Sequence, residues 1–270
     1  MAIKKVALAL VISLLPVQAH AVQDGAVAKG NLNVVSLFAL QNGTFVYRCT
    51  GAYIKERIIA TASHCIDKNS QIYVSDTGVD VSESPTRTRI LSFAIPNPEL
   101  APWNNTYPGR EQDIAFLFTE KPLSGNPLTI ASRQMVNSLK SDGATVVAYG
   151  YGNTAYRTPS TGMPYSYTLL ARHADVRSGL DSERYMSAVG IKGATCPGDS
   201  GGPILSGNYL VGIVFGGGTW TCHNGTIHIG TWSTEATLVW PYEEYLEREY
   251  KAFLDSQKPK PIIKKRKWRR

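Results

Sequence analysis

The sequence predicts an all-β protein closed by a single C-terminal helix. Three observations carry this. Glycine (24), proline (15) and tyrosine (14) are plentiful in 270 residues, a composition that suits short strands and frequent turns. The apolar runs are brief and bounded by turn-forming residues. Helical spacing of apolar side chains is sustained only near the C-terminal end. At this length a β-barrel protein counts as one unit and can bury a substantial core.

Residues 1–21 read as an export leader. Lys4 and Lys5 supply the positive start, Val6 to Leu15 the apolar run, and Ala19-His20-Ala21 the small residues of a cleavage site. Val6 to Leu15 is too short to span a bilayer and no later stretch approaches 18 apolar residues. The expectation is a secreted or periplasmic, bacterial-looking protein with no membrane span, monomeric on its own. Its body, residues 22–257, offers strands at Asn33–Leu40, Thr44–Thr50, Ile58–Ala60, Gln71–Val74, Arg87–Phe93 and Ile114–Phe118. The Pro-, Asn- and Gly-rich stretch from Ile95 to Glu111 reads as a surface loop. Further strands are expected around Thr145–Thr154, at Tyr209–Phe215 and at Thr226–Trp232, with an exposed loop from Asn153 to Ser166. Glu235 to Leu254 reads as the helix, with Tyr242, Leu246, Tyr250, Phe253 and Leu254 sharing a face and Glu247–Lys251 forming an i,i+4 pair.

Three segments carry chemistry. Cys196-Pro197-Gly198-Asp199-Ser200-Gly201-Gly202-Pro203 places a serine on a glycine-rich turn. Bare Cα atoms there let backbone N–H groups close on a reacting carbonyl oxygen, where charge develops during attack. A serine nucleophile needs a base, and the base needs an orienting group. Thr61-Ala62-Ser63-His64-Cys65 follows the apolar run Ile58-Ile59-Ala60, and Gln112-Asp113 stands at the mouth of the strand that follows. Taken singly, each is an ordinary loop or turn feature. Together, in the order His, Asp, Ser, they resemble the trypsin/chymotrypsin family of serine proteases over roughly residues 22–254.

That resemblance implies two six-stranded antiparallel Greek-key barrels packed together, with a boundary near residues 122–127. It implies that His64, Asp113 and Ser200 form a catalytic triad, with the N–H groups of Gly198 and Ser200 as the oxyanion hole. Activity should then fall in acid, because protonated His64 cannot serve as base. Gly150-Tyr151-Gly152 resembles the family's Gly-Trp-Gly. Cleavage after Ala21 would expose Val22-Gln23-Asp24-Gly25, and by resemblance the new ammonium of Val22 pairs with Asp199 without a separate zymogen step. The four cysteines suit an oxidising compartment, and sequence alone permits three connectivities. The resemblance pairs Cys49 with Cys65 and Cys196 with Cys222, each closing a short loop worth about 3 kcal/mol. With no Cys-x-x-Cys pair a zinc site is not expected, the loop after Ile72 shows no clear calcium ligand set, and neither metal nor cofactor is called for.

The substrate pocket departs from trypsin. Its floor is Ala194 where trypsins carry aspartate, Thr195 adds a hydroxyl to the wall, and Gly217 lies at the rim. An uncharged floor gives Lys or Arg no partner, so a neutral, apolar residue at the cleavage site is expected. His228 leaves an acidic preference open. Where the family reads Ser-Trp-Gly this chain has Phe215-Gly216-Gly217, losing a serine that normally touches the catalytic aspartate. Residues 258–270 hold eight Lys/Arg and no acid. Removing those eight and the two leader lysines from the net +7 leaves a body at −3. The tail reads as solvated and disordered, or as a docking segment for an anionic surface or a partner subunit. Two function classes follow. The first is a secreted endopeptidase acting on protein or peptide. The second is a partner-dependent or non-catalytic module, such as a toxin subunit docking through its tail. Asn42-Gly43-Thr44, Asn104-Asn105-Thr106 and Asn224-Gly225-Thr226 match the glycosylation sequon.

Overall fold

The computed structural model describes residues 26–27, 33–76, 87–97, 112–141, 144–152, 170–176, 183–190, 195, 198–217 and 233–259. A short strand β1 (Ala26–Val27) precedes a closed barrel of β2 (Val34–Gln41), β3 (Thr44–Lys55), β4 (Ile58–Thr61), β5 (Gln71–Ser75), β6 (Arg87–Ala94) and β7 (Ala115–Thr119). Around it the order is β2-β3-β4-β7-β6-β5, and β5 returns to β2. All these pairings are antiparallel. β4 and β7 are buried along their whole length. Their unbroken apolar runs are what a strand covered on both faces requires.

The second half holds β8 (Thr129–Ile130), helix α1 (Arg133–Ser141), β9 (Thr145–Gly150), β10 (Leu170–Val176), β11 (Tyr185–Gly190), β12 (Pro203–Ser206), β13 (Tyr209–Gly217) and β14 (Ser233–Leu238). Six of these form a hydrogen-bonded ring, β9-β10-β11-β14-β13-β12 and back to β9. β1 pairs with the start of β10, and β8 runs parallel to β13. The fold class read from the sequence is therefore the one observed.

The C-terminal helix needs correcting. Helix α2 spans Glu243–Ser256, and residues 235–238 of the expected helix belong to β14 instead. Thr234 and Thr237 are β-branched, which favours the pleated backbone, and β14 is paired on both sides, to β11 and β13. Pro241 then falls in a 3-10 turn at Trp240–Tyr242, and the helix starts only after it. Glu243 and Glu244 in its first turn suit the positive end of the helix dipole. Leu246 and Phe253 are buried, but Leu254 is exposed. Glu247 reaches across to Lys55, with Nζ at 2.6 and 2.9 Å from its two oxygens, in place of the expected intrahelical pair. Helix α1 was not foreseen. The expected strand at 226–232 and the loop at 153–166 lie outside the described residues, as do the leader, residues 98–111 and residues 260–270.

The two halves meet over Tyr151. Its ring is fully buried against Val34 and Phe38 of β2, and its hydroxyl donates to Val34 O at 3.3 Å. A second cluster runs from the first barrel's interior through Leu210, Ile213 and Phe215 to Tyr242 and Phe253. No described helix is long and apolar enough to cross a membrane.

Candidate active site

The β4–β7 ladder pairs Thr61 with Ala115. Continued two places, the antiparallel register sets residue 63 opposite residue 113, so the chain leaving β4 meets the chain entering β7. Ala62 is still extended, and Ser63–Cys65 then make a single 3-10 turn. The turn is stapled to β3 by the Cys49–Cys65 disulfide, whose Cα atoms lie 6.0 Å apart. The pairing implied for these two cysteines is thus present.

The turn wraps the Asp113 carboxylate. Oδ2 lies 2.5 Å from His64 Nδ1. Oδ1 accepts the His64 backbone N–H at 3.0 Å and the Ser63 hydroxyl at 2.6 Å. Thr237 Oγ1 donates to the Asp113 carbonyl at 3.4 Å. An ionised carboxylate only accepts, so it fixes the proton on Nδ1 and leaves Nε2 its lone pair. Both side chains are nearly enclosed, His64 at 14% and Asp113 at 13% exposure. Burial pushes the Asp113 carboxyl upward. The His64 side-chain bond and charge, the Ser63 hydroxyl and the His64 N–H together outweigh it, holding the carboxyl below its ordinary 3.8.

Ser200 sits on a turn pinned from both barrels. Its carbonyl accepts Thr50 N–H of β3 at 2.9 Å, and Cys65 Sγ lies 3.7 Å from the same oxygen. On the other side Gly201 N–H donates to Val214 O at 2.6 Å, Val214 N–H to Gly202 O at 2.9 Å, and Gly202 N–H to Asp199 O at 2.9 Å. Asp199 is fully buried and its Oδ1 accepts Gly152 N–H at 2.8 Å. This explains Gly150-Tyr151-Gly152. A Cβ on Gly150 would run into the Asp199 carboxylate, and one on Gly152 would stand 2.7 Å from its Oδ1. Val22, the expected partner of Asp199, lies outside the described residues.

Of the pocket residues, Thr195 is buried, with its hydroxyl 3.2 Å from Thr234 Oγ1 and 3.5 Å from Gly216 O. Gly217 ends β13 opposite Thr234. Ala194, Cys196, Cys222 and His228 lie outside the described residues. Cys49, His64 and Cys65 bring a nitrogen and two sulfurs within 4.8 Å, but both sulfurs are spent in the disulfide and offer no thiolate to a metal. Sequence reasoning missed Ser63, Thr234 and Thr237. Only Ser63 carried a signal, by standing directly before His64. Phe215 packs 5.7 Å from the Tyr185 ring, and Asp113 accepts a hydroxyl hydrogen bond from Ser63.

Comparison with known proteins agrees with this geometry. The family model described as Trypsin matches residues 25–237. A trypsin of Simulium vittatum is 26% identical over 209 residues, covering 71% of this chain and 82% of the relative. The snake venom serine protease Haly-2 of Gloydius brevicauda is 29% identical over 184 residues, 64% of this chain and 68% of the relative. The anionic trypsin of Bos taurus is 26% identical over 177 residues, 62% and 68% respectively.

Proposed function

Because this chain belongs to the trypsin family of serine endopeptidases, we propose that it hydrolyses peptide bonds after uncharged residues through His64, Asp113 and Ser200. The observation that carries this reading is the His64–Asp113 contact, Nδ1 to Oδ2 at 2.5 Å, on a turn beside the segment that carries Ser200. Ser200 Oγ attacks the scissile carbonyl carbon. His64 Nε2 takes the hydroxyl proton and returns it to the leaving amine. Asp113 keeps the imidazole in that tautomer and stabilises its charged form. The oxyanion is held by Gly198 and Ser200 N–H groups; losing one such donor costs roughly 10²–10³ in turnover. The acyl-enzyme is then hydrolysed by water along the same path.

Ala194 leaves the pocket floor uncharged, and the Thr195–Thr234 hydroxyl pair lines its wall. Cleavage after Lys or Arg would bury an unpaired cation there. The protein is exported through residues 1–21, and the freed Val22 ammonium pairs with Asp199. The test is cleavage of a diverse peptide library by the chain beginning at Val22, with Ser200→Ala alongside. Cleavage after neutral residues that the substitution abolishes is expected. Cleavage that survives it overturns the serine mechanism, and a Lys/Arg preference overturns the neutral pocket.

A further inference from the structure

The carbonyl of Gly198 points into a pair of hydroxyls from the opposite barrel. Tyr47 Oη donates to it at 2.6 Å and Thr50 Oγ1 at 2.9 Å. Each hydroxyl has one proton to give and a carbonyl oxygen has two lone pairs, so this acceptor is saturated. Thr50 Oγ1 keeps its own lone pairs and accepts Tyr151 N–H at 3.0 Å. Three parts of the chain converge on one oxygen as a result: β3, the residue after β9, and the turn bearing Ser200.

The peptide being held is the one between Gly198 and Asp199. It stands between the two N–H groups assigned to the oxyanion, those of Gly198 and Ser200. Gly198 has φ +98°, a region only glycine enters without strain, and glycine resists rotation of the adjoining peptide very little. A peptide flip would swing that carbonyl toward the space the oxyanion occupies, where its partial negative charge opposes the one developing on the substrate. The preorganisation on which such a hole depends therefore needs a restraint from elsewhere. Thr50 is fully buried, so its bond competes little with water, and the Tyr47 ring reaches the site edge-on to Phe38, with centroids 6.0 Å apart.

We infer that Tyr47 and Thr50 are positioning residues for catalysis, clamping the Gly198 carbonyl so that the Gly198 and Ser200 N–H groups converge on one point. The clamp comes from the first barrel and acts on the second barrel's turn. It rests on the reading of Ser200 as nucleophile given above.

The test compares the active protein with Tyr47→Phe, Thr50→Val, the double variant, Thr50→Ser and Ser200→Ala. Turnover of a chromogenic peptide and inhibition by a peptide boronate, whose adduct places an oxygen in the hole, are both measured. Each single loss should lower kcat about tenfold, and the double loss about 10²–10³-fold. KM should change little, boronate affinity should fall in step with kcat, and Thr50→Ser should keep most of the rate. A folded double variant with full kcat, or one whose kcat falls while boronate affinity holds, overturns the clamp alone. Cleavage that survives Ser200→Ala overturns the serine reading and the clamp with it. Tyr47→Phe removes a single oxygen from a partly exposed ring, so it decides the matter even where Thr50→Val fails to fold.

Discussion

Ser63 donates a hydrogen bond from its hydroxyl to Asp113 Oδ1 across 2.6 Å, a bond that the apolar Phe215 side chain cannot offer. The residue directly before the candidate base thus also braces the group that orients it. Hydrogen bonds to charged groups contribute about 1.5–3 kcal/mol. Ser63→Ala should therefore lower kcat/KM roughly 10–100-fold while leaving KM near its starting value. Steady-state kinetics on a short peptide substrate check this.

The same bond should register in acid stability. Asp113 is held below its ordinary 3.8 in the folded protein. A depressed carboxyl contributes stability that is fully present above the unfolded value and lost as pH falls through the folded one. Ser63→Ala removes one of the lowering bonds, so its folded value moves up toward 3.8. The Tm gap between the two proteins should be open at neutral pH and narrow as pH falls below 3.8. Thermal melts across that range measure it, and a gap that widens in acid would contradict the assignment.

At the pocket, Ala194→Asp should introduce cleavage after Lys and Arg. A cation paired with the new carboxylate gains a charged bond of about 1.5–3 kcal/mol, a change of roughly 10–100-fold in kcat/KM for basic over neutral substrates. Competing peptides with Lys and Leu at the cleaved position provide the readout.

Loss of the Cys49–Cys65 bridge, through Cys49→Ser with Cys65→Ser, should cost about 3 kcal/mol for a loop of 16 residues' separation. Denaturant unfolding gives the value. Because the bridge anchors the turn bearing His64, kcat should fall at temperatures where the fold is still intact.

What could be read ahead of the structure was chemistry confined to short segments. The serine turn, the histidine turn and the aspartate before β7 each announce themselves within a few residues. β4 and β7 were legible because their apolar runs stop at polar neighbours. β14 was not, since Glu235, Ala236 and Leu238 fit a helical spacing and only pairing with β11 and β13 decides against it. Tyr47 and Thr50 were illegible for a related reason. Their acceptor lies 151 and 148 residues away in the chain, and nothing local in Phe45-Val46-Tyr47-Arg48 hints at it.

Helix α2 follows both barrels in the chain yet covers the first of them. Phe253 stacks on Phe118 of β7 at 4.9 Å, Tyr250 lies parallel to the same ring at 6.3 Å, and Arg57 caps Phe253 at 4.7 Å. The first barrel therefore cannot cover its own aromatic face, and the cover comes from residues 245–253, beyond the whole second barrel in the chain. The strand that Asp113 leads into is thus completed by the last described element of the chain, so a truncation that removes residues 245–253 would strip the aromatic cover from β7 although every residue of the first barrel remained.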